Sequence, residues 1–315
     1  MKLQRQQLIQ YLQQLDKLQQ VKLANTKDTV EPMESCDSGT TPLVWNCYDG
    51  YTDMVQWMLS NDVVVDQCRD NGASQIGHTD IVRLLLERNP VPCDNTSLST
   101  SYVYNNISIS NSPSLVQPLM KHKPDINAQT YDGGNALYFS ALYGNIEITQ
   151  LLLENNADSN ICIYSKQYIA EMIKNHPTGT LGELKQNLFD TLVNSTSSRV
   201  TEYVSQKSVD YAFDVVAGSS PLHIACFMGR KDVVRCLIDH NANINQKKED
   251  GTTPLFYACE VGHEDIVQLL LDKGADSQIS RLDGKSPLDI TKYNGHTSIE
   301  FILTEYKKMA DQLAV

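Results

Sequence analysis

Histidine and cysteine are the side chains of this sequence that could bind zinc or carry out acid–base and nucleophilic chemistry. The dipeptide His263-Glu264 matches half of the H-E-x-x-H zinc motif, and the eight cysteines are scattered without a C-x-x-C pair. The sequence has no Walker-type phosphate loop, no G-x-G-x-x-G motif and no G-x-S-x-G nucleophile motif. These patterns predict no catalytic residue, no metal site and no cofactor, so we expect a protein that is not an enzyme.

The histidines instead recur at fixed places in a longer pattern. His78, His263 and His296 each follow a glycine, and His223 belongs to a Ser-Pro-Leu-His segment. Four of the seven histidines are therefore assigned to the framework of the protein. The elements that carry this framework follow from the period of the pattern.

A period of 33 residues organises the sequence. Gly218, Gly251 and Gly284 are 33 residues apart, and a Ser/Thr-Pro-Leu triplet follows two residues after each of them. Further copies start at Gly39 and Gly133. The copies resemble the ankyrin-repeat family, whose signature is T-P-L-H-x-A over 33 residues. The resemblance implies an all-α repeat solenoid of stacked helix-turn-helix units with hairpin loops, about seven or eight units in number.

Each position of the repeat has a structural reason. The Ser or Thr of the triplet can cap the first helix, and the Pro suits its first turn, where a missing N–H costs nothing. Gly229, Gly262 and Gly295 are predicted to end the first helices. Apolar residues such as Ile266 and Leu270 form the core stripe of the second helix. No single unit can bury its apolar side alone, so stacking must create the core.

The degenerate copies divide the chain into five segments. They are a Gln-rich helix and linker at 1–37, repeats one to four at 38–164, a degenerate helical repeat or insertion at 165–217, three regular repeats at 218–309, and a tail at 310–315. The second repeat is truncated near Gly72, through either a tolerated deletion or a gene-model error, and the third is degenerate.

Two segments allow alternative interpretations. Aligning Lys185 with Gly218 treats the 165–217 segment as a degenerate repeat, which places four apolar residues at core positions: Phe189, Leu192, Val200 and Val204. The extra residues would then be an inserted loop. The Gln-rich leader is either a helix that caps the first repeat or a coiled coil that dimerises the protein through residues 1–25. We otherwise expect a monomer.

In ankyrin domains, which this sequence resembles, partners usually lie in a concave groove formed by the hairpin tips and the exposed side of the first helices. Aromatic and large aliphatic residues just before the helix-ending glycines favour protein binding there. This groove set is Tyr48, Leu142, Tyr143, Phe227, Met228, Val261 and Tyr293. The rim set at the hairpin tips is Arg69, Asp70, Tyr131, Lys247, Lys248, Glu249 and Arg281. Alternatively, some of the groove set packs against a neighbouring hairpin or an inserted loop.

Charge and hydropathy limit the partners. The net charge is −12, and most of the acidic excess lies in residues 31–217, which argues against nucleic acid as the main ligand. No apolar run approaches the length of a membrane span. We therefore expect a cytoplasmic protein, with a nuclear location also open, that serves as a non-catalytic scaffold for a protein or peptide. The alternatives are a substrate adaptor of a ubiquitin ligase or kinase complex, and an enzyme or ligand site within the 162–217 insertion.

Overall fold

The computed structural model describes residues 125–130, 132–175, 180–194 and 198–313, together with Gln56. Backbone contacts place all of them in one unit, Thr41–Val315. The predicted leader, the first two repeats and the truncated joint near Gly72 lie outside the described residues. The four described ranges contain twelve helices and no strand.

The helices are α1 (Ala136–Tyr143), α2 (Ile146–Glu154), α3 (Lys166–Asn175), α4 (Leu181–Val193), α5 (Ser198–Ser205), α6 (Val209–Val216), α7 (Pro221–Phe227), α8 (Lys231–Asp239), α9 (Pro254–Val261), α10 (Glu264–Asp272), α11 (Pro287–Tyr293) and α12 (Thr297–Leu313). Four repeat units are the pairs α1/α2, α7/α8, α9/α10 and α11/α12. The remaining helices, α3 to α6, lie between the first and the second of these units. They are called the insertion below, with the bounds 165–217.

The first, or inner, helix of each repeat begins and ends where the sequence predicts. The side chains of Asn135, Ser220, Thr253 and Ser286 each accept a hydrogen bond from a backbone N–H in the first turn. Proline occupies the first turn of α7, α9 and α11. Gly262 ends α9 with a φ of 91°, in the left-handed region that favours glycine. The predicted capping and terminating roles are confirmed.

The core forms between units. The inner helices pack in the order α1, α7, α9 and α11, and the second, or outer, helices pack in the order α2, α8, α10 and α12. Ile148, Leu152, Leu237 and Leu270 are completely buried in the outer layer. Burying one such side chain contributes about 1.5–3 kcal/mol, and the contacts between consecutive units complete this burial. The stack is therefore the stable entity, as expected for a solenoid.

The unit α1/α2 stacks directly on α7/α8 although the insertion separates them in sequence. The hairpin loops that connect consecutive repeats are called fingers below. In the regular finger between α8 and α9, the N–H of Lys248 donates to the carbonyl oxygen of Thr252 at 2.9 Å. In the interrupted finger, the N–H of Ile163 donates in the same way to the carbonyl oxygen of Ser219 at 3.0 Å. Residues 165–217 thus replace the tip of one finger.

The asparagines of the fingers also continue across this interruption. The side-chain oxygen of Asn160 accepts a hydrogen bond from the N–H of Asn243 at 2.8 Å, and that of Asn245 accepts one from Asp276 at 2.9 Å. The alignment of the 165–217 segment as a repeat within the stack, with Lys185 matched to Gly218, is therefore wrong. The register of the stack passes from Asn160 to Asn243 without a unit between them.

The insertion has a small core of its own. Helix α4 packs on α5 and α6, and Leu192, Val200 and Val204 are buried among these helices, while Phe189 is half-buried. A capping box begins α4, in which Thr180 and Glu183 exchange hydrogen bonds between side chain and backbone. The apolar spacing in this segment did predict its buried positions, although the helices belong to an insertion.

Candidate functional site

The inner face of the array carries the fingers and the C-terminal ends of the inner helices. Of the groove set in the described residues, Tyr143 and Tyr293 are 36% and 80% exposed. Four other members are buried: Leu142, Phe227, Met228 and Val261. Phe227 and Val261 are thus covered on the inner face, whereas Leu142 and Met228 line a cavity described below. The role of the groove set in partner binding stays a prediction. Tyr48 lies outside the described residues.

The rim set divides in a similar way. Lys247 and Glu249 are exposed at a finger tip, and Arg281 is half-buried beside the Asp250 carboxylate at 3.4 Å. Lys248 is buried, so its prediction as a rim residue is wrong. The other members lie outside the described residues: Arg69, Asp70 and Tyr131.

Helix α5 contacts the inner face through polar side chains. The Arg199 guanidinium donates to the carbonyl oxygen of Gly262, the residue that ends α9. One turn further along α5, the Tyr203 hydroxyl donates to Oε1 of Glu260 at 3.1 Å. Asn294, the residue after α11, donates to the Tyr203 hydroxyl at 3.5 Å and to the carbonyl oxygen of Glu260 at 2.7 Å. These bonds tie α5 to two consecutive repeats of the array.

Glu260 is the most unusual side chain of this contact. Only 5% of it is exposed, and burial raises the pKa of its carboxyl group, while the hydroxyls of Tyr203 and Tyr211 and nearby basic side chains oppose the shift. Among the described residues, neither its second oxygen, Oε2, nor the Tyr211 hydroxyl makes a hydrogen bond of regular geometry. The inner face therefore holds a desolvated carboxyl group that α5 satisfies on one side only.

Lys248 holds the end of α6 against the array. Its Nζ atom donates to the carbonyl oxygens of Asp214 and Val215, in the last turn of α6, and to the Tyr257 hydroxyl at 2.7 Å. A cation suits this place because the C-terminal carbonyls of a helix carry partial negative charge. Burial lowers the pKa of Lys248 to about 7.

Glycine and the residue after it link each repeat to the next. The His263 ring nitrogen Nε2 lies 3.0 Å from the carbonyl oxygen of Phe227, and that of His296 lies 3.2 Å from the Glu260 carbonyl oxygen. Arg230 takes the same place between the first two described units, with its Nε 3.5 Å from the Leu142 carbonyl oxygen. Sequence reasoning missed Arg230, although its position directly after a helix-ending glycine is the same signal.

Comparisons with protein families agree with this geometry. A family model described as ankyrin repeats in three copies matches residues 192–281 and 246–312, and one described as ankyrin repeats in many copies matches residues 106–153. The chain belongs to the ankyrin-repeat family. No curated protein matches the chain significantly.

A part of the inner face of this ankyrin array stays open beside the insertion. A cavity of about 330 Å³ lies between the end of α4 and the inner helices. Its floor is made of Leu142, Tyr143 and Met228, and Asp190 and Asn194 of the insertion line its other side. Three predicted groove residues are thus brought together at an apolar depression whose edge is polar.

Two kinds of reactive site can be checked in the described part of the ankyrin-repeat protein: metal clusters and thiols. It contains no group of three or more His, Cys, Asp or Glu residues that could hold a metal ion. The four cysteines in it are free, and burial raises the pKa of the Cys259 thiol to about 12, which disfavours the thiolate. Within the same residues, no helix is long and apolar enough to cross a membrane.

Proposed function

We propose that this ankyrin-repeat protein is a non-catalytic binding module, and that its partner is a protein or peptide that docks on the inner face of the array. Ankyrin repeats are generally protein interaction modules. The observation that carries the proposal is the concentration of large apolar side chains at the C-terminal ends of consecutive inner helices. Tyr143 and Tyr293 are exposed there, and Leu142 and Met228 form the floor of an open depression.

The test is affinity capture from an extract of the source cells with the full-length chain as bait. The variant Tyr143→Glu, Tyr293→Glu places charges at the two exposed aromatic positions of the inner face. The matched control is Phe301→Glu, since Phe301 is 68% exposed but lies on the outer helix α12. Partners that bind the wild type and the control, and are lost with the double variant at equal helicity, support the proposal. Partners that all three chains retain contradict it.

A second candidate function is that of an adaptor that brings a client to an enzyme complex such as a ubiquitin ligase or a kinase. An adaptor needs two docking surfaces. The observation that favours this function is the presence of two exposed apolar side chains on the outer helix α12 of the last repeat: Phe301 and Met309. Loss of one group of captured proteins with Phe301→Glu, and of a different group with the tyrosine variant, would distinguish the adaptor from a module with one partner.

A further inference from the structure

We propose that the insertion is an intramolecular ligand of the inner face, and that the external partner of this face is an amphipathic helix with a basic side chain that displaces α5. This inference rests on the proposed function, since it names the class of partner and what that partner must remove. Three observations carry it: the place where the insertion leaves the array, the composition of the α5 contact, and the unsatisfied polar groups beneath it.

The backbone hydrogen bonds that connect the interrupted finger to the stack do not involve the insertion. It enters at Tyr164 and returns at Gly218, and the finger closes beneath it through the bonds of Ile163 to Ser219 and of Gly218 to Tyr164. The Asn160 side chain then connects this finger to the next unit. None of these bonds involves residues 165–217, so the backbone register of the stack does not depend on α5, while α6 stays tied to the array by Lys248.

Helix α5 covers the face in the manner of a bound peptide helix. Arg199 and Tyr203, four residues apart on α5, direct their polar groups at the array, while Val200 and Val204 are buried in the core of the insertion. Helix-in-groove recognition uses this arrangement of anchors at positions one turn apart. The face is thus already seen to accept a helix that directs a donor at Glu260 and a second donor at the end of α9.

The contact leaves a better ligand possible. Oε2 of Glu260 and the hydroxyl of Tyr211 are buried and make no hydrogen bond of regular geometry among the described residues, although Tyr211 is close enough to lower the Glu260 pKa. The Tyr211 ring lies 6.4 Å from that of Phe227. A buried carboxylate oxygen without a hydrogen-bond donor costs more free energy than a neutral buried group without one. A partner helix that offers Arg or Lys at the place of Tyr203 would satisfy both oxygens of Glu260. Charge complementarity therefore selects a basic helix as the competitor.

The experiment uses two chains and one probe. In the first chain, residues 165–217 are replaced by a single Asp, the residue that stands at this place in the fingers containing Asp132, Asp250 and Asp283. The second chain is the wild type. The probe is a fluorescent synthetic peptide of residues 198–216, compared with the same peptide carrying Tyr203→Arg and with one carrying Tyr203→Ala.

We expect the replaced chain to bind the probe at least 10-fold more tightly than the wild type does. The Tyr203→Arg peptide should bind more tightly than the parent peptide, and the Tyr203→Ala peptide about 10-fold more weakly. A replaced chain that retains cooperative unfolding but binds the probe no better than the wild type overturns the proposal. So does a replaced chain that dimerises and refuses the peptide, since the face would then be assigned to a second copy.

A variant of the full chain covers the case in which the replaced chain does not fold. Arg199→Ala, Tyr203→Ala removes both polar contacts of α5 and leaves the array unchanged. Amide hydrogen exchange in α5 should become at least 10-fold faster, while α8 and α10 keep their protection, and probe binding should rise. The matched control is Gln206→Ala, an exposed position of the insertion. Unchanged exchange in α5, with unchanged probe binding, overturns the proposal.

These outcomes separate the two proposals. If captured partners depend on Tyr143 and Tyr293 but the replaced chain does not bind the probe, the proposed binding module is supported and the proposed intramolecular ligand is contradicted. If the replaced chain binds the probe but the captured partners still bind the tyrosine variant, the intramolecular ligand is supported. Those partners then bind elsewhere than on the inner face.

Discussion

Lys248 donates a hydrogen bond from its buried ammonium group to the carbonyl oxygen of Val215 at 2.9 Å. The bond joins a finger of the array to the last turn of α6, at the C-terminal end of the insertion. Lysine is seldom buried without a reason, and here it satisfies backbone carbonyls that the helix end leaves without a partner. The insertion is therefore anchored at α6 more firmly than at α5.

The substitution Lys248→Met should lower the free energy of unfolding by about 1–3 kcal/mol, because it leaves buried carbonyl oxygens of α6 without a donor. Urea denaturation followed by circular dichroism measures the change. Lys247→Met is the matched control, since Lys247 is the exposed neighbour and makes none of these bonds. Equal stability of the two variants would contradict the anchoring role of Lys248.

His223 makes stability depend on acid. Its Nε2 lies 3.2 Å from the carbonyl oxygen of Thr252, and burial lowers its pKa to about 3 in the folded protein. An unfolded histidine titrates near 6.5, so the unfolded chain binds the proton more readily between about pH 6.5 and 3. Stability should fall by up to about 1.4 kcal/mol for each unit of pH lost in this window.

The variant His223→Gln tests that assignment. It should be less stable than the wild type at pH 7, because the buried bond to Thr252 is weakened, and its stability should decline less between pH 6.5 and pH 4. Chemical denaturation at several pH values provides both quantities. A decline as steep as that of the wild type would show that other groups cause the acid sensitivity.

Glu260 affects the pH dependence of stability in the opposite direction to His223. Since burial raises its folded pKa, the folded protein binds the proton more tightly than the unfolded chain does, and the penalty for this group grows as pH rises above about 4.5. Glu260→Gln should therefore stabilise the protein at pH 8, by about 1–2 kcal/mol, and much less at pH 4.5. Melting temperatures at the two pH values measure the effect. Glu249→Gln, at an exposed finger tip, should show no such gain.

Gly262 is needed for two separate reasons. Its φ is 91°, and a Cβ atom there would lie 2.6 Å from the ring of His296. Gly295 holds the equivalent place in the last repeat with a φ of 73°, and no atom lies within 4 Å of its Cβ position. Gly295→Ala should cost about 1 kcal/mol from backbone strain alone, and Gly262→Ala should cost at least twice as much. Equal costs in thermal denaturation would show that His296 moves aside freely.

The repeat framework could be predicted from the sequence because its determinants are local. Ser220 and Thr253 act within three residues of themselves, and Gly262 ends the helix in which it lies. His263 was correctly interpreted as a framework residue, because its neighbours repeat every 33 residues. In the last three repeats, the residue after the helix-ending glycine donates a hydrogen bond to the preceding repeat. Aligning this position by its role as a donor, and not by the residue type histidine, would also have identified Arg230.

The cover on the inner face could not be predicted, because the contacts that form it are distant in sequence. Tyr203 is 57 residues from Glu260, and Arg199 is 63 residues from Gly262. A periodic pattern shows which side of a helix points to the groove, but it does not show whether another part of the chain lies there. Phe227 was therefore assigned to the correct face, but its complete burial there could not be predicted.

The interrupted finger also sets how strong a free partner must be. Because both ends of the insertion start from neighbouring residues of one hairpin, α5 is presented to Glu260 at a high effective concentration, on the order of millimolar for short connections. A free helix with contacts merely equal to those of α5 would need a similar concentration to displace half of it. Only a partner with additional contacts, or one held nearby by a second site, would occupy the face at cellular concentrations. By tethering the insertion, the finger thus sets the minimum affinity that a competing partner must have.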